Sequence, residues 1–293
     1  MEAIKIEARP QITLEWLNTE RSLSPSSLKA FRKSPRHYME YLFGEKPEVP
    51  AFAMGSLIDC LLTEPENFDE LFIKHERPNM RTNAGKEEMA KLIEQANEQH
   101  KTLITQEDID TAKLAVEGAM NVPMIKDLVE GMTETQIKLK WKDRKTGLPI
   151  YGRADMESNA WGEEWLVEIK TTGKAEGADP DNFFRDALKF QYDIQMAAYL
   201  DGYHKTRYKF PNFMFIVIET NPPYNASAIL ADSKFIEQAK EEWRGTLDAF
   251  RYCLDRNLFN QGYEFRLHTM PYFSMQYPGW HRPRFAGFKA EDI

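Results

Sequence analysis

Asp155, Glu168 and Lys170 are the residues whose types and spacing can do chemistry in this chain of 293 residues. They fall in Gly152-Arg153-Ala154-Asp155 and in Leu166-Val167-Glu168-Ile169-Lys170-Thr171-Thr172. Asp155 comes late in one alternating segment. Glu168 and Lys170 stand two apart in the next, so the period of two points both side chains to one face. Val167 and Ile169, interleaved with them, face a core, which seats the charged pair on a rigid layer instead of a mobile loop. Two carboxylates from adjacent strands suit a hard divalent cation such as Mg²⁺, or Mn²⁺, with its preference for oxygen ligands. Such an ion activates water and offsets the charge that builds on phosphate oxygens, while Lys170 positions or deprotonates the water or neutralises that charge. The chemistry implied is phosphodiester hydrolysis.

Taken singly, a Glu-x-Lys pair on a strand is usually a solvated face and an Asp after Gly-Arg is usually a turn; their order and spacing together are far less common. Gln195 and Tyr199, four apart, share one helical face and can hydrogen-bond a phosphate or orient a catalytic group, against a reading of Tyr199 as plain core. Glu134 opens the preceding strand and is a further acidic candidate, against a solvent-facing strand end. The six histidines form no metal-ligand spacing and read as surface or structural residues.

These residues need a frame. Ser24-Pro25-Ser26-Ser27-Leu28 signals a helix start, and Ser34-Pro35 a second, stopped by Gly44. Met54–Leu62 reads as a helix, as do 83–101 and 106–120. Alternation then sets in over Thr133–Trp141, Ile150–Glu157 and Trp165–Thr171, predicting three antiparallel strands in a meander. Helix returns over 181–203, Phe213–Glu219 and Ala226–Leu230 read as further strands, and 233–257 as a long amphipathic helix. Residues 1–22 are expected to be an arm, 23–260 one domain, and 261–293 an aromatic and proline-rich tail.

Composition narrows the classes. Aromatic residues make up 12% of the chain, far more than a disordered sequence carries. Two cysteines, Cys60 and Cys253, are too few for a disulfide framework, so a reducing cytoplasm is the expected setting. Neither a membrane span nor a secretory signal is read. With 38 Lys+Arg against 46 Asp+Glu, the net charge of −8 argues against non-specific coating of nucleic acid, though not against an enzyme with one basic groove.

Gly152-Arg153-Ala154-Asp155, Glu168-Ile169-Lys170 and Gln195-x-x-x-Tyr199 resemble the Asp, Glu-x-Lys and Gln-x-x-x-Tyr elements of the PD-(D/E)XK nuclease superfamily, in its RecB-like and lambda-exonuclease-like branch. Ser22–Leu28, with Phe31, Pro35 and Tyr38, is similar to the opening helix of that branch. Met54–Pro65 resembles the next helix of the RecE (exonuclease VIII) nuclease domain. The likeness spans residues 22–203 in order.

The resemblance implies an α/β (α+β) core, a central mixed sheet flanked by helices. It implies a Mg²⁺-dependent exonuclease that degrades linear double-stranded DNA 5′→3′, leaves 3′ tails for a RecT-type annealing protein, and assembles as a homo-oligomeric ring. Asp155 and Glu168 would be metal ligands, joined by the Ile169 backbone carbonyl, and Lys170 the catalytic lysine, with Gln195 and Tyr199 beside it. Asp59 stands where the family commonly has a metal-binding His; a carboxylate there still offers oxygen, against a plain exposed acid. Ser34 stands where some relatives have a cluster-binding cysteine, so no iron–sulfur cluster is expected. Arg153, Lys174, Arg185 and Lys189 surround the motifs and are candidates for DNA phosphates, although most basic residues so placed only solubilise. Two alternatives remain: a catalytically silent DNA-binding or assembly subunit of the same fold, and an endonuclease or single-strand nuclease of the same superfamily.

Overall fold

The computed structural model describes residues 11–44 and 51–266. Side-chain caps open most of the early helices. Thr13 accepts the Trp16 amide ahead of α1 (Leu14–Thr19). Ser24 and Ser27 cap α2 (Pro25–Lys33) reciprocally, with Pro25 in the first turn where its missing N–H costs nothing. Ser34, held extended before a proline, ends α2 and caps α3 (Pro35–Phe43). There follow α4 (Ala51–Thr63), a 3₁₀ turn at Pro65–Asn67, α5 (Phe68–Leu71), β1 (Phe72–Lys74), α6 (Asn83–Glu98), β2 (Thr102–Ile104), α7 (Gln106–Met120) and α8 (Pro123–Glu130). The rest of the chain contributes β3 (Met132–Lys142), β4 (Pro149–Ala160), β5 (Glu163–Thr172), α9 (Pro180–Lys189), α10 (Tyr192–Arg207), β6 (Asn212–Glu219), β7 (Ala226–Leu230) and α11 (Ser233–Arg256), and a last 3₁₀ turn spans Tyr263–Arg266.

β3 to β7 form one sheet in sequence order. The pairs β3–β4, β4–β5 and β6–β7 are antiparallel, whereas β5 and β6 run parallel from Trp165↔Asn212 to Thr172↔Glu219. This is the α+β core with a central mixed sheet flanked by helices that the resemblance implies. Alternation on β6 shows the layering: Phe213, Phe215 and Val217 join one core with α2, α3, α10 and α11, and Met214, Ile216 and Ile218 join a second with α4, α7 and α8. Exposed Glu87, Glu88, Glu94, Glu98 and Glu107 lie on α6 and α7. Among the described residues no helix is long and apolar enough to cross a membrane.

Three features differ from the sequence reading. Within the stretch expected to be an arm, α1 forms and buries Leu17, with Ile12 buried just ahead of it. β1 and β2 make a separate parallel pair, each too short to show a period. The helix expected over 181–203 is two helices, broken by Gln191 in the left-handed conformation at φ 56°. The tail expected over 261–293 lies outside the described residues from 267 onward.

α10 packs closely on β3 because Gly202 has no side chain. A Cβ there would stand 2.7 Å from the Trp141 ring, whose indole nitrogen donates to Asp201 Oδ2 at 3.0 Å. Gly202→Ala is therefore expected to destabilise the fold by about 1–3 kcal/mol through overpacking, read as a lower midpoint in urea unfolding.

Candidate active site

The site forms where β4 leaves β5. Their ladder ends at Met156↔Val167. Along β4 the alternation also breaks there, because Ala154 belongs to one core and Met156 to the other. Asp155 lies at that break. Its Oδ2 accepts the Ile169 amide at 2.8 Å, in the place of a strand-to-strand bond. The Ile169 carbonyl, which shares a side of the strand with its own amide, faces the same gap. On the partner strand Gln136 takes φ 49°, rare for a residue with a Cβ, and its Nε2 donates 2.8 Å to Asp59 Oδ2 from α4.

Val167 and Ile169 enter the core under α4, α7 and α8, as their alternation predicts, and leave Glu168 and Lys170 on the face of α2 and α10. Glu168 is 3% exposed. Its Oε1 accepts from Lys170 Nζ at 2.6 Å and from Gln195 Nε2 at 2.5 Å. Gln195 Nε2 also donates to Tyr199 OH at 2.9 Å, and its Oε1 accepts from Lys29 at 2.8 Å and Lys170 at 3.4 Å. The amide of Gln195 is thus fixed by four partners. The ring of Tyr192 lies against both ammonium groups, 4.6 Å from Lys170 Nζ and 5.0 Å from Lys29 Nζ.

Burial sets the electrostatics. It opposes the charge on Lys170, but the Glu168 and Asp155 carboxylates outweigh it and hold the amine above its ordinary value. Lys170 is therefore an ammonium. Burial, and then the charge of Lys170, push Lys29 down to about 7. Burial, with Glu168 and Asp59 adding to it, drives Asp155 well above the usual carboxylate range. Asp59 is raised to about 6 by burial, against the Gln136 hydrogen bond and with Glu168 adding to it. Tyr199 is raised by burial and the Glu168 charge.

Asp59 Oδ1 and Glu168 Oε2 are buried without a hydrogen-bond partner. Leaving a buried carboxylate oxygen bare is costly, and a hard cation removes that cost. Among the described residues, however, no three His, Cys, Asp or Glu side chains form a preassembled metal cluster. The donor chemistry fits a divalent cation; a closed cage is not preformed.

The structure thus brings together Asp155, Glu168, Ile169, Lys170, Gln195, Tyr199 and Asp59. Glu134 stands apart from them, its two oxygens accepting from Arg207 Nη2 at 2.8 and 2.7 Å. Lys174 is bonded to Asp186 at 2.6 and 2.5 Å, Lys189 stands over the Phe190 ring, and Arg153 is exposed on β4. Sequence reasoning missed Lys29, Gln136 and Tyr192. The signal for Lys29 was available, one residue past the Ser24-Pro25-Ser26-Ser27-Leu28 helix start, but only the third dimension places it on Gln195.

Residues 24–260 match the PDDEXK-like domain of unknown function (DUF3799). The chain belongs to this PDDEXK-like family. Its fold is similar to a crystal structure from Eubacterium rectale described as a "Putative exonuclease", at 13% identity over 87% of this chain and 88% of that one, with a TM-score of 0.53. A phage related exonuclease from Haemophilus somnus 129PT is 13% identical over 60% of this chain and 85% of its own, with a TM-score of 0.31. No curated protein matches the chain.

The raised aspartates of this PDDEXK-like site have a measurable consequence. Asp59 binds its proton near the ordinary value of 3.8 in the unfolded chain and near 6 in the fold. The folded state therefore holds more protons across that window. Without a divalent cation, stability is fully present below about 4 and is lost as pH rises through 6, and Asp155 acts in the same direction. In EDTA, Asp59→Asn is expected to lessen the fall in Tm between pH 4.5 and 7 by roughly a few degrees, as followed by differential scanning calorimetry.

Proposed function

We propose that this chain is a divalent-cation-dependent exodeoxyribonuclease that degrades linear double-stranded DNA, 5′→3′, and leaves 3′ single-stranded tails for a RecT-type annealing protein. The observation that carries the reading is the buried Glu168–Lys170 pair with Asp155 fastened to the amide between them. Membership in a PDDEXK-like family supports a nuclease-type hydrolase. Polarity, the annealing partner and assembly as a homo-oligomeric ring come from the resemblance of the motifs, and a cytoplasmic setting from the two cysteines. An enzyme enclosing a duplex needs a positive channel despite the net charge of −8, and in a ring symmetry would gather several basic grooves around one axis.

Asp155 and Glu168, with Asp59 and the Ile169 carbonyl, would hold Mg²⁺ or Mn²⁺. When bound, the cation supplies Lewis-acid activation of water and offsets charge on the attacked phosphate. Lys170, protonated and pinned by Glu168 and Gln195, donates hydrogen bonds to the phosphate oxygen on which negative charge grows. Gln195 keeps Glu168 and Lys170 at a fixed separation, and Tyr199 closes the network from the next turn of α10. Lys29 adds a second amine on the same face, and its low pKa makes it the more easily deprotonated of the two. Arg153 faces solvent on β4 and is a candidate for the DNA backbone, with Lys174 and Lys189 at the far side of Tyr192.

Digestion of end-labelled linear duplex with Mg²⁺ tests the assignment. Lys170→Ala is expected to lower the rate by about 100-fold or more, with Lys170→Arg folding through the retained charge and still slowed; full activity in both would overturn the proposal. Covalently closed circular duplex should survive, and its cleavage would favour the endonuclease alternative. By titration calorimetry, wild type should bind Mg²⁺ or Mn²⁺ and Asp155→Asn should lose most of that heat, whereas a silent assembly subunit shows none dependent on Asp155.

A further inference from the structure

The loop between α9 and α10 presents an aromatic ring to solvent beside the site. Phe190 is 43% exposed although it ends a helix whose buried side holds Phe183 and Ala187. Its ring centroid lies 5.9 Å from that of Tyr192, the ring on which Lys170 rests. Two further ammonium groups stand over Phe190 itself, Lys189 at 5.4 Å and Lys174 at 5.5 Å.

The ring is held there by the backbone. Gln191, with φ 56° and ψ 46°, turns the chain sharply between the two helices, a conformation a side-chain-bearing residue adopts at a cost of order 1–3 kcal/mol. Its side chain is anchored on α2, where Oε1 accepts from Arg32 Nε at 2.8 Å. The Phe190 amide completes the last helical turn by donating to Asp186 at 2.8 Å. An exposed ring on a strained, clamped turn is not a loose loop residue. Lysines over exposed aromatic faces are what a single nucleic-acid strand needs, because the cations track phosphates while each base offers a flat face to stack. A purely apolar docking face would not carry two ammonium groups across its ring.

We infer that Phe190 is a base-stacking platform: it receives the nucleobase next to the phosphate held at Lys170, with Lys189 beside the neighbouring phosphate and Lys174, paired with Asp186, packed over the ring. The inference rests on the nuclease reading and adds a base-contacting subsite to it. Stacking on a ring reads no sequence, so the subsite grips every base, and it favours an end whose last pair has opened over a continuous duplex.

The test uses linear duplex carrying 2-aminopurine, whose fluorescence drops on stacking, at each of the three positions nearest the labelled end, with Ca²⁺ in place of Mg²⁺ to prevent digestion. Binding should quench one of these positions severalfold, and Phe190→Ala should remove that quenching. In the otherwise wild-type enzyme, Phe190→Ala should raise KM about tenfold, in line with the loss of one base–aromatic stack, and the loss should fall on KM rather than kcat. Phe190→Tyr should restore both signals and Phe190→Leu should not, since a leucine keeps the apolar surface without the flat face. Full quenching or unchanged KM in Phe190→Ala, in an enzyme that cleaves duplex, overturns the platform and leaves the nuclease standing. A change in sedimentation of the DNA-free protein with unaltered DNA affinity overturns it in favour of a protein contact. A wild-type protein that neither binds nor cleaves duplex overturns the nuclease reading and the platform with it.

Discussion

Glu168 is taken out of water at 3% exposure, and burying a carboxylate without a partner is costly. Lys170, 2.6 Å away, supplies the compensation, and Glu168 in turn keeps Lys170 protonated. Neither can be changed alone without stranding the other. Gln195, Lys29 and Tyr192 are arranged around this pair, and so is the direction in which Asp155 is displaced. The site is therefore a balance of opposed charges that burial makes strong, with Asp59 and Asp155 left on the unfavourable side of it.

Three layers contribute to that balance. β5 offers the pair, α10 and α2 cover it from one side, and α4 brings Asp59 from the other, which is reachable only because β4 and β5 part at Met156 and Val167. Gly152 serves the same geometry: a Cβ there would stand 3.0 Å from the Tyr199 ring, so the strand ahead of Asp155 can lie close under α10. The motif glycine and the motif tyrosine are two halves of one contact.

Much of this was legible in the sequence where a period was at work. The alternation of Ile137, Leu139 and Trp141 and of Val167 and Ile169 located their strands, and the hydroxyl-proline starts located α2 and α3. What escaped notice lay where the period fails. Gln191 and Gln136 adopt left-handed backbone without being glycine, so nothing in their type announced the helix break or the left-handed residue within β3. The shift of Asp155 between faces of β4 has no sequence mark either. Lys29 and Gln136 reach the site from 166 and 77 positions away from their partners Gln195 and Asp59, separations that no local pattern spans. Glu134 carried the right charge in the right strand, but Arg207, at the far end of α10, claims it.

The parallel pairing of β5 with β6 has a consequence for biogenesis. An antiparallel neighbour can be supplied by a short turn, but a parallel one arrives only after a long crossover, here α9 and α10. As the chain emerges during translation, β5 remains half-paired, with its ionic pair still wet, until Glu219 has been added. The Glu168–Lys170 site thus matures only after the strand beyond α10 has joined the sheet, and it depends on contacts of high sequence separation that form slowly.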